Sequence, residues 1–135
     1  MPVVDASIVV AALLDGGATG AWAESVLQSS PLAAPHLMPV EVANILRRIV
    51  IAREVSADAA GMAHSDLLAL PVDLYPYAPF APRVWELQRN LTAYDGWYVS
   101  LAEALRWPLA TLAVRLTNAA GPRCAFVTPA FPAQG

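Results

Sequence analysis

Lysine is absent from this chain, and cysteine occurs once, at Cys124. A lone thiol cannot close an internal disulfide, so the sequence carries no oxidative cross-link and fits a reducing, cytoplasmic setting. Charge is scarce: 14% of 135 residues are charged, and the net charge is −3. That balance excludes a general nucleic-acid coat protein. Long apolar runs are also missing. Ile8 to Leu14 falls far short of the ~20 residues of a spanning helix, so no membrane segment is expected. No basic region precedes the first apolar stretch, and Asp5 interrupts it, which argues against a secretory signal. No Walker loop or dinucleotide fingerprint is present, and Ser7 has no evident histidine partner for a nucleophilic triad.

What the chain does have is apolar residues, 57% of the total. This exceeds the usual share of a soluble domain. It implies a sheet covered on both faces, apolar surface kept for a partner, or both. The length suggests one domain over residues 1–135 with a single core, ending in a mobile tail of the last seven or so residues. Strand and helix signals alternate. Strands are expected near Pro2–Asp5, Leu32–Ala34, Val72–Tyr75, Leu109–Leu112 and Cys124–Val127. Helices are expected over Ala6–Leu14, Ala18–Gln28, Met38–Arg53, from Ser56 to Leu70, from Pro82 to about Leu91, over Gly96–Ala104 and over Ala113–Asn118. Such alternation implies a three-layer α/β/α domain around a parallel sheet of about five strands.

Three acids stand out against this frame. Asp5 ends the first strand, where ligands of open α/β sheets bind. Glu41 lies early in the helix after the second strand, and Asp95 opens a helix after a crossover. A parallel sheet brings strand ends and following helix starts to one rim, so the three can meet there. Gathered carboxylates stay ionised only when a cation compensates them. An all-oxygen set suits Mg²⁺ or Mn²⁺. Such an ion can bind a scissile phosphate, activate water and stabilise a leaving oxygen, so the implied chemistry is phosphodiester hydrolysis. A weaker alternative makes Asp5 a phosphotransfer nucleophile.

Val3-Val4-Asp5-Ala6-Ser7 resembles the opening of PIN-domain proteins. Pro39 to Arg48, around Glu41 and Asn44, is similar to their second motif. Thr92 to Glu103, around Asp95, is similar to the third, and Leu109-Ala110-Thr111-Leu112 to the start of the fourth. The likeness spans nearly the whole chain and is strongest to the VapC toxins of toxin–antitoxin pairs. It implies a PIN fold, Mg²⁺- or Mn²⁺-dependent endoribonuclease activity, inhibition by a VapB-type antitoxin, and homodimerisation. It also implies Asp5, Glu41 and Asp95 as catalytic acids, Asp5 and Asp95 as metal ligands, and Ser7, Asn44 and Thr111 as supporting positions. One departure is clear. The fourth motif usually continues with aspartate, and this chain has Ala113. A methyl group cannot hold a metal or its water, so weak metal binding and impaired cleavage are expected. The alternative is a non-catalytic module that still grips its antitoxin and RNA.

All of the strongly basic residues are arginines, eight in number. Arg47 and Arg48 follow Glu41 on one helix and can reach an RNA phosphate or an antitoxin carboxylate. The aromatic residues read chiefly as core or interface anchors; Trp97 and Tyr98, which adjoin Asp95, are the best placed to stack on a base instead. His36, His64 and Cys124 lack metal-ligand spacing. The amphipathic helices near residues 18–53 suggest a groove for an antitoxin helix.

Overall fold

Val3 and Val4 are β-branched, fully buried and flanked on both sides by other strands. A two-residue strand of this kind belongs at the centre of a parallel sheet, where both faces are covered. The structure, a computed structural model, describes residues 1–130. Its elements are β1 (Val3–Val4), α1 (Ala6–Leu14), α2 (Ala18–Leu27), β2 (Leu32–Pro35), α3 (Met38–Ile51), α4 (Ala57–Ala69), β3 (Val72–Tyr75), a 3-10 turn (Ala78–Phe80), α5 (Ala81–Glu86), α6 (Ala93–Leu105), β4 (Leu109–Ala110), α7 (Val114–Thr117) and β5 (Phe126–Val127).

The five strands run parallel in the order β3-β2-β1-β4-β5. Val3 pairs with Ala33 on one side and Leu109 on the other, and Val4 pairs with Ala110. The order reverses at β1, so the carboxyl ends of β1 and β4 border the switch point where α/β sheets bind ligands. α1 packs against α2, α3 and α4, whereas α6 packs against β1, β2, β4 and α5. This is the expected three-layer arrangement. Its core includes the fully buried Ile8, Leu32, Met38, Leu101 and Leu109.

Local signals explain the helix limits. The Ser56 hydroxyl accepts the Ala59 N–H at the start of α4, and the Thr92 hydroxyl accepts the Asp95 N–H at the start of α6, as N-caps do. α2 turns back so closely on α1 that a Cβ on Gly20 would lie 1.8 Å from the Asp15 carbonyl oxygen. The helix expected from Pro82 to Leu91 stops instead at Glu86. Residues 87–91 continue in tight turns that bury both Leu87 and Leu91. β1, β4 and β5 are shorter than their apolar runs, because only two residues of each pair in the ladder. The expected mobile tail falls mostly on residues 131–135, outside the described residues. No single helix among the described residues is long and apolar enough to cross a membrane; α1 and α2 pass that test only as a pair bent by 117°.

Candidate acidic site

Asp5 ends β1 and caps α1 at once. Its Oδ1 accepts the Ile8 N–H at 3.2 Å and the Ser7 hydroxyl at 2.5 Å, and its Oδ2 accepts the Thr111 hydroxyl at 2.5 Å. Both hydroxyls accept in turn: Ser7 Oγ from the Leu112 N–H, Thr111 Oγ1 from the Ala113 N–H. Each hydroxyl hydrogen is thereby committed to Asp5. The network ties the end of β1 to the loop after β4 and leaves neither carboxylate oxygen without a donor. Burial still outweighs these bonds and raises the Asp5 carboxyl above its ordinary range.

Glu41 lies in the first turn of α3. Tyr98, buried on α6, donates its hydroxyl to Glu41 Oε1 at 2.6 Å across 57 residues of sequence. Burial raises the Glu41 carboxyl, and the negative charges of Asp5 and Asp95 push it further. The Tyr98 bond opposes the rise without cancelling it. The Tyr98 phenol is raised in turn, by burial first and by Glu41 next.

Asp95 occupies the first turn of α6. Its Oδ2 accepts from Arg115 Nη1 at 2.7 Å, and Arg115 extends from α7 with its side chain 72% exposed. The three acids therefore share the rim at the carboxyl ends of β1 and β4, near enough for Glu41 to feel both others. They do not form a ready-made cage: among the described residues no group of three His, Cys, Asp or Glu side chains is placed to hold a metal ion. Each carboxylate is instead held by its own donors.

Ser7 and Thr111 touch Asp5 directly. Asn44 is exposed one turn beyond Glu41 and shares a cleft with it. Arg47 and Arg48 are both exposed, and Arg48 lines that cleft. Ala113 stands at the N-cap of α7 with no side-chain cap bond. Tyr98 and Trp97, the aromatic residues best placed by sequence to meet a base, behave as the anchors expected of the aromatic residues in general. Tyr98 is buried on Glu41, and Trp97 is half-buried with its ring 5.2 Å from that of Tyr77. The ring beside Asp95 that meets solvent is Tyr94, 59% exposed. His36 and His64 are exposed; Cys124 is half-buried, before β5 rather than within it, and burial pushes its thiol up to about 11.

Sequence reasoning missed Tyr98 as the partner of Glu41 and Arg115 as the partner of Asp95. No local signal gives either pairing: Tyr98 meets Glu41 across 57 residues and Arg115 meets Asp95 across 20.

The donors suit Mg²⁺ or Mn²⁺. They are carboxylate oxygens, and Mg²⁺ keeps several waters and needs only one or two carboxylates from the protein. The repulsion that Asp5 and Asp95 impose on Glu41 is the kind of crowding that a divalent cation relieves.

Residues 3–121 match the PIN domain family. The chain is 42% identical to Ribonuclease VapC1 of Mycobacterium tuberculosis over 123 residues, covering 90% of this chain and 92% of that protein. It is 38% identical to Ribonuclease VapC9 of the same species over 124 residues, covering 92% and 94% respectively. Among solved structures, PAE2754 from Pyrobaculum aerophilum superposes with a TM-score of 0.66 at 25% identity, covering 84% of this chain and 75% of that one. With its parallel five-stranded sheet and its acids on the switch-point rim, the chain belongs to the PIN domain family, beside the relatives named VapC ribonucleases.

Proposed function

We propose that this chain, as one PIN domain, is the endoribonuclease toxin of a VapBC-type pair, dependent on Mg²⁺ or Mn²⁺ and slowed by Ala113. The observation that carries the reading is the meeting of Asp5, Glu41 and Asp95 on one rim, with Glu41 raised in part by the other two. The relatives named VapC ribonucleases support the substrate class. Asp5 and Asp95 would hold the ion, which would supply Lewis-acid activation of water and of the scissile phosphate.

The protein's own contribution is positional. Ser7 and Thr111 fix the Asp5 carboxylate, and Tyr98 fixes Glu41. Glu41, raised by burial and by its acidic neighbours, is suited to proton transfer at its free oxygen. Ala113 offers no oxygen at the fourth position, and losses of that order around metal sites cost about 10–100-fold in affinity or activity.

An apolar cavity of about 490 Å³ lies between α1 and α3, with Val10, Leu14, Ile45, Ile49 and Leu112 in its wall. Its lining supports docking of an amphipathic antitoxin helix. The groove lies across α1 and α3 rather than α2. Ile45 lines it, whereas Leu46 belongs to the core; Ile45→Asp is therefore the informative variant for loss of antitoxin binding. Homodimerisation and a cytoplasmic setting complete the proposal.

A second reading, a non-catalytic module, is favoured by one observation: Arg115 already sits on Asp95. Cleavage of single-stranded RNA by the purified chain and by Ala113→Asp, with Mg²⁺ and with EDTA, separates the two. The toxin reading expects metal-dependent cleavage that Ala113→Asp raises at least tenfold and Asp5→Asn abolishes. An inert Ala113→Asp protein that still binds its antitoxin would leave the module.

A further inference from the structure

A cleft of about 450 Å³ opens beside the acidic rim, and its wall includes Val40, Glu41, Asn44, Arg48 and Tyr94. Its volume falls in the range of small-ligand sites. Glu41, Asn44 and Arg48 follow at intervals of three and four along α3 and so share one face. Tyr94 comes from the start of α6. Its helix neighbours have partners, Tyr98 on Glu41 and Trp97 against Tyr77, but Tyr94 leaves 59% of its surface to solvent. Val40, also in the wall, is 64% exposed. Arg48 forms no salt bridge among the described residues. The cleft thus offers an open aromatic face, an uncommitted guanidinium and a primary amide, and Glu41 joins it to the acidic site.

We propose that this cleft is a subsite for one unpaired nucleotide of RNA, with the base stacked on Tyr94, the adjacent phosphate on Arg48 and a base edge against Asn44. The proposal rests on the ribonuclease reading and adds how the strand is held beside the reacting phosphate. Stacking on an aromatic ring needs a base that has left its own stack, so the subsite takes single strands, loops or bulges and excludes intact duplex. A guanidinium pairs with phosphate in bidentate fashion. In a chain of net charge −3, an arginine beside the acids gives the backbone a foothold there.

The test is fluorescence anisotropy of a labelled mixed-sequence hexaribonucleotide, single-stranded and as a duplex, with Ca²⁺ in place of Mg²⁺. Thermal melts check that each variant is folded; Tyr94 is exposed, so its replacement leaves the core intact. Tyr94→Ala is expected to weaken single-strand binding about tenfold, while Tyr94→Phe and Tyr94→Trp keep it. Arg48→Gln is expected to lower the slope of log affinity against log salt by about 0.7, one phosphate contact. Duplex binding is expected to be insensitive to Tyr94→Ala. Equal single-strand affinity for wild type and Tyr94→Ala overturns the subsite and leaves the ribonuclease reading standing. So does an equal loss in Tyr94→Phe and Tyr94→Ala, which would assign the effect to the hydroxyl. If Tyr94→Ala and Arg48→Gln keep RNA affinity but lose antitoxin copurification, the cleft docks protein and the subsite is refuted. A wild-type protein that binds no single-stranded RNA refutes the subsite and the ribonuclease reading together.

Discussion

Arg115 donates to Asp95 at 2.7 Å, from a position two residues beyond Ala113 and twenty beyond Asp95. A fixed positive charge thus stands on one proposed ligand of the ion, next to the place where another acid is missing. The guanidinium is mostly exposed, and exposed ion pairs are weak, so a divalent cation can displace it. Calorimetric titration with Mn²⁺ should show Arg115→Gln binding several-fold more tightly than wild type, on the order of 3–10-fold. Ala113→Asp should gain more, about 10–100-fold. Three equal affinities would remove both Arg115 and Ala113 from the account of the site.

Tyr98 is the donor that opposes the rise of the Glu41 carboxyl. Tyr98→Phe keeps the ring and deletes the bond. The Glu41 carboxyl should then move still higher, because a hydrogen bond to the charged form has been lost. Folding stability should fall by about 1–3 kcal/mol. Carbon-13 titration of the Glu41 carboxyl and urea unfolding read the two effects separately. A Glu41 midpoint that stays put would show that the tyrosine does not stabilise the charge.

Glu103 should set part of the acid sensitivity of the fold. Burial raises its carboxyl, but Arg83 donates Nε to Oε1 at 2.7 Å and Nη2 to Oε2 at 3.1 Å, the Arg123 N–H donates at 2.8 Å, and the net value lies below the ordinary 4.5. The folded carboxyl thus gives up its proton more readily than the unfolded one. Its stabilisation is present above about pH 4.5 and is lost as pH falls through the lowered value. Glu103→Gln should cost about 1–2 kcal/mol near neutrality, and the gap to wild type should close in acid. Urea melts across pH measure it; a gap that does not depend on pH would assign the cost to packing.

Two glycines should respond oppositely to alanine. A methyl on Gly20 would lie 1.8 Å from the Asp15 carbonyl oxygen, whereas one on Gly61, inside α4, would meet nothing within 4 Å. Gly20→Ala should destabilise by roughly 3 kcal/mol or more through backbone overpacking. Gly61→Ala should stabilise by about 0.5–1 kcal/mol through helix propensity and reduced unfolded-state entropy. Thermal unfolding of the pair tests the α1–α2 junction.

The alternation of strands and helices was legible because it is written in local residues. Asp5 was legible too, since a carboxylate directly after a buried strand has few places to go. The partners were not. Tyr98 and Glu41 meet across 57 residues, and no local pattern encodes that pairing. Which aromatic residue of α6 stays open to solvent was not legible, for a different reason. Gly96 and the run from Tyr98 to Ala102 are all buried, so the helix lacks the polar contrast by which periodicity assigns a face. On α3 the core stripe is Met38, Val42 and Leu46; Ile45 is equally apolar, and only the structure places it in the groove.

The bond from Thr111 to Asp5 spans 106 residues, and β1, the central strand, pairs along one edge with β4 at a similar separation in sequence. Contacts of such separation need a long loop to close before they contribute, so assembly of the rim depends on non-local pairing rather than on any one local element.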